Sequence, residues 1–486
     1  MSGDGDGDCN GDGNEERGGG KRTEADALVL FGATGDLAYK KIFPAVYEME
    51  KGDRLNRPVI GFASSDWDDA KLRDRARDSV HDHVPSDEEL DEQALDRLIE
   101  RLSYVSGDYR DESTFHALSE ALEKAGAAHP LFYLAIPPVL FDDVITGLAA
   151  VGLDQGARVV VEKPFGRDLA SAHELNDCLH RAFPEQSVYR IDHFLGKEAV
   201  ENLLVFRFAN SLFEPIWNRN FINSIQITLA EDFGVKGRGK FYETVGAMRD
   251  VVQNHLLQIV ALLGMDPPVG SDSDALADER IRLFRQVRTV DPSNVVRGQY
   301  RGYTDEDGVD AGSDVETYIA MRLEIDSWRW AGVPWLIRTG KSLAATATEA
   351  VVSFNEPPRL LFTQDECPAP APNLMRFRLG SDDGVTLHMQ AKVPGDQLNT
   401  RPVDLDVSFA KALGHREEAY QRLLEDALEG DRRRFGRSDS VNEQWRIVEA
   451  VVDNPPRSRL YDKGTMGPPE ADALAADAGG WIDPQT

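Results

Sequence analysis

Between Ala27 and Ile191 five short apolar runs are spaced by longer stretches with a helical polar face. This alternation restricts the fold more than any other feature of the chain. The runs are ALVLF (27–31), RPVIGFA (57–63), LFYLAI (131–136), ARVVV (157–161) and the short 187–191. Most are continuously apolar rather than alternating, so they read as strands covered on both faces. Helical patterns over 37–50, 68–83, 87–102, 111–125, 139–151 and 171–182 fill the intervals. Strands joined by helical crossovers pair in parallel, which predicts a doubly wound α/β sheet over roughly 170 residues.

After about residue 200 the rhythm changes. SIQITLA (224–230) alternates as a half-buried strand does. YIAMRLEI (318–325), TEAVVSFN (348–355), MRFRLG (375–380) and VTLHMQAKV (385–393) follow without regular helices between them. Helical patterns fall at 241–263, 416–429 and 439–453. Together they predict an α+β domain with a large, mostly antiparallel sheet and helices on one face. The stretch after Gly467 is rich in Ala, Asp and Pro and is expected to be loose.

Gly32-Ala33-Thr34-Gly35-Asp36-Leu37-Ala38 separates the first strand from the first helix. Gly32 permits a tight turn, Gly35 lets backbone approach a pyrophosphate, and Ala38 lets helix and strand pack closely. A Gly-rich turn in an unrelated α/β domain is the plainer alternative. Lys40 and Lys41 follow within reach of a phosphate. At the end of the second strand an acidic residue binds a ribose 2′-hydroxyl, whereas an arginine accepts a 2′-phosphate. The chain has Ala63-Ser64-Ser65-Asp66 there, and Asp66 either reaches the ribose or caps the next helix. Glu162-Lys163-Pro164-Phe165-Gly166 closes the fourth run, at the strand end where ligands bind in such sheets. Pro164 is a candidate for a cis bond.

YRIDHFLGKEAVEN (189–202) concentrates an Asp, a His, a Lys and an Arg. With Asp192–Val200 helical, His193 and Lys197 stand at i and i+4. Two cations beside free backbone N–H groups make an anion site suited to a phosphate. A solvated helix start with an ion-pair pattern has the same spacing. Farther on, Glu231, Asp250 and His255 stand out, the last within DVVQNHLLQIVALLG (250–264). A histidine among apolar neighbours is either a satisfied core residue or, with an Asp on its ring, a general base for a hydroxyl proton. Asp192 is the candidate partner. Lys341, after the strand-like PWLIRT, is a further contact for an anion or a sugar hydroxyl.

Composition narrows the partners. The 486 residues carry 84 acidic and 54 basic side chains, a net charge of -30, which disfavours nucleic acid. There are 14 lysines against 40 arginines. An acidic, lysine-poor surface suits concentrated salt, where self-repulsion is screened. The unfolding temperature is therefore expected to rise from low to molar salt in a thermal melt; a fall would remove the idea. No apolar run approaches the ~20 residues of a membrane span, and no apolar signal core opens the chain, so a cytoplasmic location is expected. Cys9, Cys178 and Cys367 are too few and scattered for a disulfide framework or a metal cluster, and no metal site is expected.

These pieces converge on one family. Beyond its acidic tail the chain resembles the glucose-6-phosphate dehydrogenases over nearly its whole length. GATGDLAYKKIFPA, LFYLAIPP, VVVEKPFGRDL, YRIDHFLGKEAVENLLVFRFAN, RDVVQNHLLQ, WRWAGVPWLIRTGKSL and AYQRLLEDALEGD carry the resemblance, in the expected order. It implies oxidation of the C1 hydroxyl of glucose 6-phosphate to 6-phosphogluconolactone, with hydride transfer to NADP or NAD, in the oxidative pentose phosphate pathway. It implies His255 as the base, Asp192 as its partner, and His193 and Lys197 on the substrate phosphate. Lys163 would touch sugar and cofactor, Glu231 and Asp250 the sugar hydroxyls, and Lys341 the substrate. Gly32, Thr34, Gly35, Asp36, Leu37 and Lys41 would form the cofactor turn, with Ser64 beside it.

The same resemblance implies a Rossmann domain plus an α+β domain whose large sheet joins subunits into a homodimer or homotetramer. The expected division is an acidic Gly/Asp-rich disordered tail over 1–24, a dinucleotide-binding domain over 25–198, and a substrate and dimerisation domain over 199–486. Three departures from the family pattern stand out. Phe194 replaces a tyrosine whose hydroxyl helps to bind phosphate. Ser64 replaces an arginine for the NADP 2′-phosphate. KSLAATATE lacks a basic residue that often follows the GK segment. The alternatives are a dehydrogenase of another hexose or hexose phosphate, and a non-catalytic sugar-phosphate or dinucleotide sensor. Keeping Asp192, Lys163 and His255 together argues against a sensor, which needs no base.

Overall fold

The computed structural model describes residues 24–84, 90–358, 370–396, 398–414 and 416–485. The expected disorder of the tail up to residue 23, Cys9, Cys367 and the beginning of the 87–102 helix lie outside the described residues.

Six parallel strands build the first sheet: β1 (Ala27–Phe31), β2 (Val59–Ala63), β3 (Leu102–Ser106), β4 (Pro130–Leu134), β5 (Arg158–Glu162) and β6 (Val188–Ile191). Their spatial order is β3-β2-β1-β4-β5-β6, the doubly wound order expected. β1 and β4 are buried at every residue, which is why their sequence shows no alternation. The strand β3 was not expected. LSYVS continues the apolar pattern of the helix Glu92–Arg101 without a breaker, so no local signal marks the change. Several crossover helices open on an aspartate: Asp68, Asp91, Asp111 and Asp168 each accept a backbone N–H of the first turn. Such a cap contributes about 1 kcal/mol. Asp68, not Asp66, caps the helix after β2, and Asp66 stands exposed.

The second sheet holds nine strands: β7 (Ile222–Ala230), β8 (Val295–Tyr300), β9 (Tyr318–Leu323), β10 (Trp335–Gly340), β11 (Ala347–Phe354), β12 (Leu374–Arg378), β13 (Gly384–Lys392), β14 (Thr400–Ser408) and β16 (Arg459–Tyr461). The order is β14-β13-β12-β11-β7-β10-β9-β8-β16, antiparallel except for β7–β10 and β8–β16. The remaining short strand, β15 (Phe435–Gly436), leaves this sheet and pairs antiparallel with β6 of the first. With it comes the helix Ala419–Glu429, whose Leu423, Leu424, Ala427 and Leu428 join the core beneath the first sheet. The chain therefore does not divide in strict sequence order.

The expected half-burial of SIQITLA does not hold. Ser224, Gln226 and Thr228 are buried along with their apolar neighbours. The cause is the C-terminal segment, which is ordered rather than loose. Pro469–Ala478 forms a 3-10 helix, and beyond it Gln226 exchanges hydrogen bonds with Gly480 O (2.9 Å) and Ile482 N (2.8 Å). Arg338 of β10 donates to Asp483 Oδ1 at 2.8 Å. Buried polar groups need such partners, so the segment's backbone makes that face of the sheet tenable. On the other face lie the apolar residues of the helix Leu257–Gly264. No helix among the described residues is long and apolar enough to cross a membrane.

Candidate active site

The site forms where the carboxyl ends of β1, β5 and β6 meet a helical segment of the second domain. At the first of these ends Gly32 has φ +75° and donates its N–H to Phe62 O at 2.8 Å. A Cβ there would stand 2.3 Å from Ala135 O, so the turn passes beneath the end of β4 only with glycine. Thr34 accepts from Ser65 Oγ at 3.1 Å, which ties the turn to the end of β2. Gly35 is exposed at the opening of the following helix, and Ala38 is fully buried beneath it. Asp36 pairs with Lys40 at 3.1 Å on the surface. The bare backbone at Gly35 and the position between β1 and β4, where the strand order reverses, fit a dinucleotide's pyrophosphate. Ser64 is exposed one residue beyond β2.

The second group surrounds His255. Asp192 follows β6 directly, and its Oδ1 stands 2.5 Å from His255 Nδ1. The pair is 5% and 3% exposed at the side chains, respectively. Lys163, just past β5, brings Nζ to 2.9 Å from His255 Nε2 and from Asp250 O, and to 3.4 Å from Asp250 Oδ1. The Lys163–Pro164 peptide is cis. Asp250 and His255 share a π-helical stretch, Met248–Leu256, where an ordinary α-helix was expected. Its wider turn brings residues five apart near one face, so both reach the same ammonium. Gly246, at φ +60°, breaks the expected 241–263 helix immediately before it.

Electrostatics assign roles to these atoms. Burial alone would raise the Asp192 carboxyl, but the His255 ring and its hydrogen bond, and then His193 and Lys163, hold it well below the usual range. Burial pushes the His255 imidazole down; Asp192 opposes the shift and Lys163 adds to it. A neutral ring with a carboxylate at Nδ1 carries its proton there. Nε2 then holds the lone pair, which the Lys163 ammonium meets as a donor. Both contacts select the same tautomer.

On the far side of the dyad, the stretch 192–197 is a turn and the helix begins only at Glu198. The expected helical i,i+4 placement of His193 and Lys197 is therefore incorrect: Lys197 is the N-cap. The two still line one cleft of about 690 Å³, together with Lys41, Leu37 and Tyr420. The expected pair of cations also needs correction. Burial, and then the neighbouring His255, hold the His193 ring well below its ordinary value, so it offers a ring N–H rather than a full charge. Burial likewise lowers Lys197, opposed by Asp192, Glu418 and Glu231. Phe194 stacks on His255, with ring centroids 4.2 Å apart at 19°, and Lys197 Nζ lies 3.9 Å from the Phe194 centroid. Glu231, just past β7, pairs with Lys341, just past β10.

Every candidate of the catalytic and phosphate groups thus converges on this region, but two participants had no role in the sequence. Glu162 is pushed up to about 7 by burial, against hydrogen bonds from Tyr133 and Tyr420. Tyr133 OH is 2.5 Å from Glu162 Oε1. Tyr420 also lies parallel to His193, at 6.5 Å. The signal available was Glu162 within EKPFG, a carboxyl beside an apolar strand. Nothing local points to Tyr420, which arrives with the returning helix.

A doubly wound dinucleotide-binding domain whose strand ends meet a buried His–Asp pair defines a dinucleotide-dependent oxidoreductase. Comparisons give the family. Residues 29–202 match the NAD binding domain, and residues 204–482 the C-terminal domain, of glucose-6-phosphate dehydrogenase. The chain belongs to the glucose-6-phosphate dehydrogenase family. It is 46% identical over 460 residues to glucose-6-phosphate 1-dehydrogenase 1 of Mycobacterium tuberculosis (strain CDC 1551 / Oshkosh), covering 95% of this chain and 97% of the relative. A crystal structure of glucose-6-phosphate 1-dehydrogenase from Mycobacterium avium superposes with a TM-score of 0.86 at 44% identity, over 95% of this chain and all of that one (100%). A glucose-6-phosphate dehydrogenase solved in complex with its substrate glucose-6-phosphate gives 0.87 at 31% identity, with the same coverage.

Proposed function

We propose that this chain oxidises the C1 hydroxyl of glucose 6-phosphate to 6-phosphogluconolactone with NADP or NAD as acceptor. The observation that carries the reading is the placement of His255, with Asp192 at Nδ1 and Lys163 at Nε2. His255 Nε2 removes the hydroxyl proton, and Asp192 stabilises the imidazolium that forms. A bound nicotinamide supplies the hydride acceptor. On substrate binding Lys163 transfers its donor from Nε2 to the reacting oxygen, which orients that oxygen and frees the Nε2 lone pair for the proton. Asp250, Glu231 and Lys341 position the remaining hydroxyls. His193 and Lys197 bind the phosphate, and the turn from Gly32 to Leu37, with Lys41, holds the dinucleotide. We assign residues 25–198 to the cofactor domain and 199–486 to the substrate domain, and the packing of the 419–436 segment against the first sheet links the two.

The test is the initial rate with glucose 6-phosphate, glucose and other hexose phosphates, each with NADP and NAD. A rate confined to glucose 6-phosphate supports the reading. Turnover of another sugar in its place would move the substrate assignment, and binding without turnover would favour a sensor. Ser64 bears on the cofactor. An arginine there would add a charge-assisted contact to a 2′-phosphate. S64R is therefore expected to raise the NADP-to-NAD ratio of kcat/KM by about 10-fold or more. An unchanged ratio would take Ser64 out of the cofactor pocket.

A further inference from the structure

We propose that Arg280 is a positioning residue for the dyad: it secures the strand end that carries Asp192 and adds a buried positive charge to the surroundings of that carboxylate. The inference rests on the reading of His255 and Asp192 above.

Arg280 lies on the helix Ser273–Gln286 and is 2% exposed. Its Nη2 donates to Phe435 O at 3.2 Å and to Arg433 O at 3.4 Å. Phe435 stands opposite Ile191 in the β15–β6 pairing, and Asp192 is the next residue. Leu195 of the same turn and Arg280 line one cleft. The clamp therefore acts on the backbone from which Asp192 projects.

The charge has no contact partner to explain it. Among the described residues no carboxylate forms an ion pair with Arg280, and its Nε has no hydrogen-bond partner. Asp192 Oδ2, also buried, has none either. A guanidinium placed in such surroundings is costly unless an anion compensates it. Burial, and then Arg437, push Arg280 down to about 10, while Asp192 opposes them. It therefore remains charged at neutral pH. A clamp on two carbonyls needs only N–H donors, which an uncharged amide has. A cation is required only for the carboxylate.

Other charged or titratable groups face the dyad: Lys163 from the end of β5, Glu162 beside it, Asp250 from the π-helical stretch, His193 and Lys197 from the turn, and Tyr420 from the returning helix. They are common to every variant below, so a change on replacing Arg280 reports Arg280.

The experiment is an NMR titration of histidine-labelled full-length chain, with the His255 ring assigned by its loss in H255N. Removing a nearby cation eases protonation of both dyad members. R280Q, which keeps donors for the two carbonyls, is expected to raise the His255 midpoint by about half a unit or more. R280K is expected to leave it near the wild-type position. The acid limb of kcat/KM should move to higher pH in R280Q only. R280M is the second uncharged variant should R280Q not fold. A midpoint unmoved in the uncharged variant, or moved equally in R280K, would overturn the inference. The ring titration needs no turnover, so failure here is distinct from failure of the proposed activity.

Discussion

Replacing His255 with Asn is expected to lower kcat by about 10²–10⁴-fold, the range over which a positioned general base accelerates proton transfer. Substrate affinity should change little, because the reading assigns the phosphate and hydroxyl contacts to other residues. Asparagine has no lone pair equivalent to Nε2, while its amide retains a donor toward Asp192. The pH profile provides an independent check on the same atom. The base must be neutral to accept a proton, so activity is present above the His255 midpoint and lost as pH falls through it. Burial lowers that midpoint, so the acid limb of wild-type kcat/KM should lie below the ordinary histidine value of ~6.5. Steady-state kinetics of both proteins across pH decide the matter. A variant that keeps wild-type kcat would remove His255 from the chemistry. Unchanged thermal melting would show that a loss of rate is not a loss of fold.

The frame of this site was legible in the sequence for a physical reason. Strands buried on both faces are written as uninterrupted apolar runs, and β1, β2 and β4 are such runs. The turn after β1 was legible because only glycine fits beneath Ala135 O. What escaped was decided by distant contacts. Asp192 meets His255 across 63 residues, and no local pattern encodes that meeting. The turn at 192–197 displaced the expected helix because its backbone N–H groups close on Asp192: Phe194 N donates to Oδ1 at 3.0 Å and Leu195 N to the carbonyl at 2.9 Å. The π-helical stretch carries an ordinary helical pattern, and its widened turn becomes useful only where Lys163 meets it. Ser224, Gln226 and Thr228 read as a wet face because the segment that covers them lies some 250 residues away, as the Gln226–Gly480 contact shows.

Replacing Lys197 with Ala is expected to raise KM for glucose 6-phosphate by about 10–150-fold, the equivalent of losing one hydrogen bond to a charged group. Activity toward glucose should be nearly unaffected, so the ratio of kcat/KM for the two sugars should collapse. That ratio isolates the phosphate, since both substrates present the same reacting hydroxyl to His255. An equal fall for both sugars would instead place Lys197 at the reacting centre. Phe194 sets the context for this lysine. The Phe194 ring lies beneath the ammonium at 3.9 Å, and such a contact is worth about 0.5–2 kcal/mol. Tyrosine offers the same aromatic face, so F194Y keeps that contact and adds a hydroxyl donor. KM for glucose 6-phosphate in F194Y is expected to fall, by less than about 10-fold, because the lysine is already held in place. If F194Y leaves KM unchanged while K197A raises it, the aromatic face is what the phosphate pocket uses at this position, and the missing hydroxyl is immaterial to it.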